Sequence, residues 1–252
     1  MTQRCQYPPG SIEAADVTHD RIDPHYGKTL KRLLAAHAIA EKLTAIGYER
    51  SLGKLTDAVL RYRAEKNLGE ERKHAQLIYR ALAQIGVSQD AADRSMTPAM
   101  SAPSFAAPVR FARHAVDDLE LVMASVSLDM TGLIMIGINY RESSYAPHAR
   151  AAEVILGEEE DHEMFAATEL RDAATRFGCK RVNAALCEWL PRAINFFGPP
   201  GTGFTYDCIR FGLKARDNEE LGEIYLSLLE RRLDQAGLQM PRLTAGYPYA
   251  IA

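Results

Sequence analysis

The chain is short of the features that assign a function quickly. Its four cysteines, Cys5, Cys179, Cys187 and Cys208, lie far apart and form no Cys-x-x-Cys pair. That excludes a zinc knuckle and a dense disulfide framework, and it fits a reducing, cytoplasmic setting. An excess of charge of one sign is also missing: a net charge of -3 and a pI near 6.2 give no general attraction to nucleic acid or to an anionic membrane. Nor is there a long apolar run free of charge. The nearest, residues 121–138, carries Asp129 at its centre, where a charge costs roughly 2.5–3.5 kcal/mol in a bilayer. A helix buried inside a bundle is expected there, not a membrane span. Residues 198–203 are rich in glycine but lack the Gly-Lys-Ser/Thr ending of a phosphate loop, so they read as a turn. Residues 1–11 are polar and contain proline, with no apolar run behind a basic start, so no signal peptide is expected.

What the chain does contain is one short word written twice. Glu71-Arg72-Lys73-His74 and Glu159-Glu160-Asp161-His162 are both Glu-x-x-His, which on a helix sets a carboxylate and an imidazole one turn apart on one face. Glu41 precedes the first copy by thirty residues and Asp129 precedes the second by thirty, so each member of the second set follows its counterpart by 88 positions. A single Glu-x-x-His is more often a surface ion pair than a ligand pair. Here, however, the six residues fall on apolar seams. Leu30, Leu33, Leu34, His37, Ala38 and Glu41 recur at helical spacing, as do Leu60, Ala64, Asn67, Glu71, His74 and Ile78. Leu119, Val122, Val126, Asp129, Leu133 and Ile136 form a third seam, and Ala152, Ile155, Glu159, His162 and Ala166 a fourth. A buried carboxylate must be paired, protonated or bound to a cation. Four carboxylates and two imidazoles form the ligand set of di-iron or di-manganese carboxylate bundles.

The expected fold is all-α: a ferritin-like four-helix bundle with helices near residues 27–47, 55–85, 110–140 and 148–177. The Pro-, Ser- and Ala-rich stretch 87–108 serves as its one long crossover. Additional C-terminal helices are expected near residues 186–197 and 218–237. The organisation is an N-terminal arm (1–26), the bundle with its helical extension (27–242) and a C-terminal tail (243–252). The antiparallel pairs turn near residues 56 and 144, which brings Glu41 level with Glu71 and Asp129 level with Glu159. His37, one turn before Glu41, is either an outer partner of the site or a satisfied core histidine. His25, His114 and His148 are not expected to be ligands. Glu158, Glu160, Asp161 and Glu163 crowd the fourth helix, and most of that acidity is expected on solvated surface.

Residues 144–151 leading into Glu158-Glu159-Glu160-Asp161-His162 resemble the corresponding helix of the phenylacetyl-CoA epoxidase catalytic (alpha) subunit family. So do Trp189-Leu190-Pro191, Phe197-Gly198-Pro199, Asn218-Glu219-Glu220-Leu221 and Leu238-Gln239-Met240-Pro241. The resemblance runs from about Thr29 to Arg242 and is strongest after position 140. It implies a di-iron, O₂-activating monooxygenase of epoxidase or hydroxylase type, acting on a small organic substrate such as an aromatic acyl-CoA thioester. Iron ligands carry over to Glu41, Glu71, His74, Asp129, Glu159 and His162. Glu71 and Glu159 are placed between two Fe ions cycling between Fe²⁺ and Fe³⁺, and Glu41 and Asp129 on the outer sides. A manganese ion in place of one iron suits the same donors. The implied partners are O₂, the substrate, a separate electron-donating reductase, and a homologous helical subunit or a second copy of the chain. One departure stands out: the family carries a lysine one turn before the second-helix glutamate, and Asn67 takes that place here. Leu133, Ile136 and Phe165 are expected to line the substrate pocket. Two other functions share these seams, a ferroxidase and a non-catalytic helical scaffold subunit. A scaffold would have no use for complete ligand sets in both halves, since leucine or isoleucine would fill the seams more stably.

Overall fold

The computed structural model describes residues 5–241. They fold into the helices α1 (Ala14–Thr18), α2 (Pro24–Ser51), α3 (Ala58–Ala83), α4 (Gln89–Met96), α5 (Ala106–Arg113), α6 (Asp118–Ile134), α7 (Ala146–Phe177), α8 (Cys179–Phe196), α9 (Gly203–Arg210) and α10 (Asn218–Gln235). Among the described residues there is no named strand, and one isolated bridge joins Ile12 to Tyr145. The architecture is the all-α, ferritin-like bundle that the seams predict.

The long helices start where local chemistry tells them to. The Asp23 carboxylate accepts from the His25 amide at the head of α2, with Pro24 in the first turn, where its missing N–H costs nothing. Asp57 accepts from the Val59 and Leu60 amides at the head of α3, and Asp117 from the Glu120 amide at the head of α6. Helix α2 packs along α3, α6 packs along α7, and α3 meets α7 across the bundle. A clamp joins this last pair: Arg63 and Lys66 of α3 both bind the Asp161 carboxylate of α7, at 2.7 and 2.6 Å.

The structure adds detail to one expected segment and differs from the expectation at two others. The stretch 87–108 is largely helical, containing α4, two 3₁₀ turns (Thr97–Ser101 and Pro103–Phe105) and the start of α5. Its prolines sit at first-turn positions, where they start short helices. The third bundle helix is not continuous from residue 110, because the chain breaks at His114 and restarts on the Asp117 cap. The stretch 5–26, expected as an arm, lies against the bundle. Ile12 exchanges backbone hydrogen bonds with Ser144 and Ala146, and the fully buried Tyr26, already on α2, meets the Ser144 hydroxyl at 3.0 Å. The tail at 243–252 lies outside the described residues.

Segment Asp118–Tyr140 is long and apolar enough to cross a bilayer by composition, but most of it is buried in the bundle. Its last six residues, Met135–Tyr140, form a π-helical turn, a distortion found mostly at functional sites. One close approach in the core yields a prediction. Gly47 of α2 faces the Phe111 ring, which stands edge-on to Tyr48 (5.1 Å) and Trp189 (6.2 Å), and a Cβ at position 47 would overlap that ring. Overpacking of this kind costs about 1–3 kcal/mol, against roughly 1 kcal/mol gained in helix propensity. Gly47→Ala is expected to lower the urea midpoint at unchanged slope, a net loss of up to about 2 kcal/mol. A midpoint equal to the parent's would mean the ring moves aside freely.

Candidate metal centre

Glu41, Glu71, His74 and Glu159 converge in the middle of the bundle. One ligand atom from each lies within 4.8 Å of all the others, and all four residues are buried. His74 Nδ1 stands 3.5 Å from Glu41 Oε2 and 3.5 Å from Glu159 Oε1. His162 joins through Glu71: its Nδ1 lies 3.5 Å from Glu71 Oε1, while the other oxygen of that carboxylate, Oε2, is 4.0 Å from His74 Nδ1. The Glu71 carboxylate therefore faces both imidazoles. Asp129 is buried beside Glu159 but outside the tight group, with no ion pair to either histidine and with Oδ2 lacking a hydrogen-bond partner.

The imidazoles show what the site is built to hold. His74 Nε2 lies 2.8 Å from Glu158 Oε2, and His162 Nε2 lies 2.9 Å from Glu70 Oε2. A carboxylate only accepts, so each Nε2 carries a proton, and Nδ1 is the nitrogen turned inward and open to a cation. Both Nδ1 atoms are buried and have no hydrogen-bond partner. Donors sharing a first-row cation at about 2.0–2.2 Å stand roughly 3.0–3.5 Å apart, and each Nδ1 meets its nearest carboxylate oxygen at 3.5 Å. The donor set, imidazole nitrogen with carboxylate oxygen, suits iron, manganese or zinc. The residues present therefore fit a metal centre.

The electrostatics agree. Burial, then repulsion from Glu41 and Glu159, pushes the Glu71 carboxyl well above the usual carboxylate range. Burial and the nearby Glu159 do the same to Asp129. For His74 burial works the other way, but the Glu159 and Glu41 carboxylates 3.5 Å from Nδ1 outweigh it and raise the imidazole to about 10 in the metal-free protein, where Nδ1 holds a proton that a cation would displace. Burial also opposes ionisation of Glu41, yet His37 and His74 hold it well below the ordinary value. Crowded carboxylates in a dry interior call for positive charge, which bound cations supply.

Two outer carboxylates escaped the sequence reading, which set Glu158 among acids mostly on solvated surface and passed over Glu70. They too are 88 positions apart, so the repeated word is Glu-Glu-x-x-His. That doubling is the signal that would have found them. A lysine of α3 holds each one: Lys73 pairs with Glu158 at 2.5 Å and Lys66 with Glu70 at 3.0 Å. Asp161 and Glu163 are likewise not free surface charge, being bound by Arg63 and by Arg232 respectively, whereas Glu160 is exposed as expected. His37 donates toward Glu41 at 2.9 Å and meets His148 Nε2 at 3.0 Å, which makes it an outer partner of the site. His148 is not in the cluster but is fully buried, and burial followed by repulsion from His37 pushes it well below the ordinary histidine range. His25 and His114 are exposed. Asn67, in the place of the family lysine, donates to the Tyr48 hydroxyl at 3.0 Å.

Glycine at 132 is a condition of the site, because a Cβ there would overlap the Glu159 carboxylate. Gly132 and Glu41 also border a cavity of about 940 Å³, walled near them by Met135, Ile136 and Tyr140 of the π turn. Of the three pocket residues expected from sequence, Ile136 lines this cavity. Leu133 and Phe165 do not, and Phe165 instead lies under the Arg63 guanidinium.

Fold and centre together define a ferritin-like helical bundle built around a buried carboxylate–histidine cluster. Residues 67–247 match the family described as phenylacetic acid catabolic protein, while no curated protein matches the chain. The chain belongs to the phenylacetic acid catabolic protein family, a ferritin-like di-iron family.

Proposed function

We propose that the protein is the O₂-activating, di-iron monooxygenase component of an oxygenase system, acting on a small organic substrate such as an aromatic acyl-CoA thioester. One observation carries this reading: two buried imidazole Nδ1 atoms, each oriented by an outer carboxylate, aim at a cluster of carboxylates that borders a large cavity. The residues that would hold two iron ions are Glu41, Glu71, His74, Asp129, Glu159 and His162. Bound iron would supply the redox chemistry, and manganese at one position suits the same donors.

The chain's own residues do the rest. Glu158 and Glu70 keep the imidazoles in the ligating tautomer, His37 steadies Glu41, and the Lys66 and Lys73 pairs hold the outer carboxylates in place. Apolar side chains of the cavity exclude water from the carboxylates and leave room for an organic molecule beside Glu41. A ferroxidase or a scaffold subunit would have no use for such a cavity. The proposal includes a separate reductase as electron source, association with a homologous helical subunit or a second copy, a cytoplasmic location, and one bundle unit spanning residues 27–242.

Iron content and single-turnover oxygenation with a chemical reductant provide the test. The expected result is about two irons per chain, the count set by six such donors, and substrate-dependent O₂ consumption. Iron-loaded protein that consumes no O₂ with reductant present would refute the monooxygenase reading.

A further inference from the structure

Residues 5–13 are fastened across two turns that back the cavity. Gln6 N donates to Arg210 O at 2.7 Å, Gly10 N to Ser143 O at 2.9 Å and Ile12 N to Ser144 O at 2.9 Å, while Ala146 N donates back to Ile12 O at 2.8 Å. The Tyr7 ring stands edge-on to Tyr26 at 5.2 Å and stacks on Phe211 at 6.3 Å. The two turns are also joined directly. Ser144 N donates to Gly212 O at 2.6 Å, and the Asn139 amide oxygen accepts from Ala215 N at 3.0 Å and Arg216 N at 2.9 Å. Gly212, at φ +72°, lies so close to the segment that a Cβ there would overlap the Tyr7 carbonyl. Both turns lead into the cavity wall. Residues 143–146 follow the π turn, which gives Met135, Ile136 and Tyr140 to the cavity, and residues 210–216 carry Lys214, which lines it too.

The fastening is light. Ile12 is the one buried residue between positions 5 and 25, α1 buries none, and the Glu13–Arg150 ion pair at 2.9 Å is exposed at both ends. Segments with so few buried apolar contacts open at much lower free energy than the core they lie on. What they cover is deeply placed: Ser143 and Ser144 are fully buried. If the segment lifts, Ser143 O and Ser144 O lose their partners, and such backbone groups then need water in their place.

We infer that residues 5–13 are a strap that opens while the bundle stays folded, and that its opening loosens the cavity wall made by residues 135–140 and 210–216. The strap thereby sets how fast molecules exchange with the cavity beside Glu41. This rests on the reading of the cavity as the substrate site. None of residues 5–13 lines the cavity, so the strap acts through the two turns it fastens. With it closed, three elements hold one another; with it open, the Ser144–Gly212 bond and the Asn139 amide hold the turns by themselves, with solvent beside them.

The test uses a thiol already in place. Cys5, Cys179 and Cys187 are exposed and Cys208 is fully buried, so Cys5→Ser, Cys179→Ser and Cys187→Ser together leave Cys208 as the reporter. Cys208 precedes Arg210 by two residues on α9, and its carbonyl accepts from the Leu213 and Lys214 amides, which ties it to the fastened turn. Maleimide labelling of the native protein, followed by mass, measures opening. Stopped-flow release of N-phenyl-1-naphthylamine, a neutral apolar fluorophore, measures exchange with the cavity. Neither readout involves metal or O₂, so failure of the oxygenase reading and failure of the strap are separate results. Ile12→Asp puts a carboxylate in place of the one buried anchor, and Gly10→Pro removes the amide that Ser143 O accepts from and cannot adopt φ +64°. Each is expected to speed labelling and release by about tenfold or more with the helical circular dichroism unchanged. Gly47→Ala, which weakens the core away from the strap, is expected to lower the urea midpoint and leave both rates within about twofold of the parent's. Labelling that Gly47→Ala speeds as much as Ile12→Asp would mean that Cys208 is reached by global unfolding, and would overturn the inference. So would a release rate that neither strap variant changes, a fluorophore that does not bind the parent, or loss of the helical signal in both strap variants.

Discussion

Replacing Glu71 and Glu159 together by leucine is expected to abolish metal retention and to leave the metal-free fold as stable as the parent or more so. Both carboxylates are buried at mid-bundle, and crowding by Glu41 and Glu159 already drives Glu71 toward its neutral form. Removing two members of this cluster relieves repulsion and desolvation together. Exchange of buried ionic groups for apolar ones of similar volume is often neutral or stabilising by about 1–4 kcal/mol. The comparison must be made between metal-free forms, because metal binding adds its own stabilisation to the parent. Iron by elemental analysis and urea unfolding of chelator-treated protein give the two readouts. Parental iron content in the double variant would show that the cluster is not the binding site. A metal-free variant several kcal/mol weaker than the parent would make these carboxylates structural.

Glu158→Gln is expected to weaken metal retention by about 10–100-fold, the usual consequence of losing an outer partner of a histidine ligand. Glu158 accepts the Nε2 proton of His74 and thereby fixes which nitrogen faces the centre. An amide in its place accepts more weakly and can turn its NH₂ toward the ring, which releases the tautomer. Glu70→Gln is expected to act equally on His162, since the two arrangements repeat each other. Glu160→Gln is the control, an exposed neighbour in the same acidic run whose change is expected to do nothing. Competition with a chromogenic chelator measures all three. Parallel behaviour of the Glu158 and Glu160 variants would remove the outer carboxylates from the account.

Much of this centre was legible before any coordinates. A helix imposes its period on the sequence, so polar residues at apolar seam positions announce themselves, and the 88-residue offset set the two halves in register. Glu70 and Glu158 were harder to read because each sits at the edge of its helix face. Whether such a carboxylate meets solvent or an imidazole depends on the facing helix. The same limit hid the His37–His148 contact, which joins residues 111 positions apart. The short helices inside the crossover were not legible, because proline breaks helices in their interiors but starts them at their first turns, and a count of prolines does not tell the two apart.

The family, the all-α class and the presence of acids and imidazoles on apolar seams follow from the sequence, because spacing along a helix is a local property and charge on an apolar stripe is a visible contradiction. The tertiary structure alone decided which donors crowd together and which stands apart, as Asp129 does. It also placed the outer carboxylates behind each imidazole and set the cavity beside Glu41. These depend on distances between helices that meet only once the core has closed, and no periodicity within a single helix encodes them.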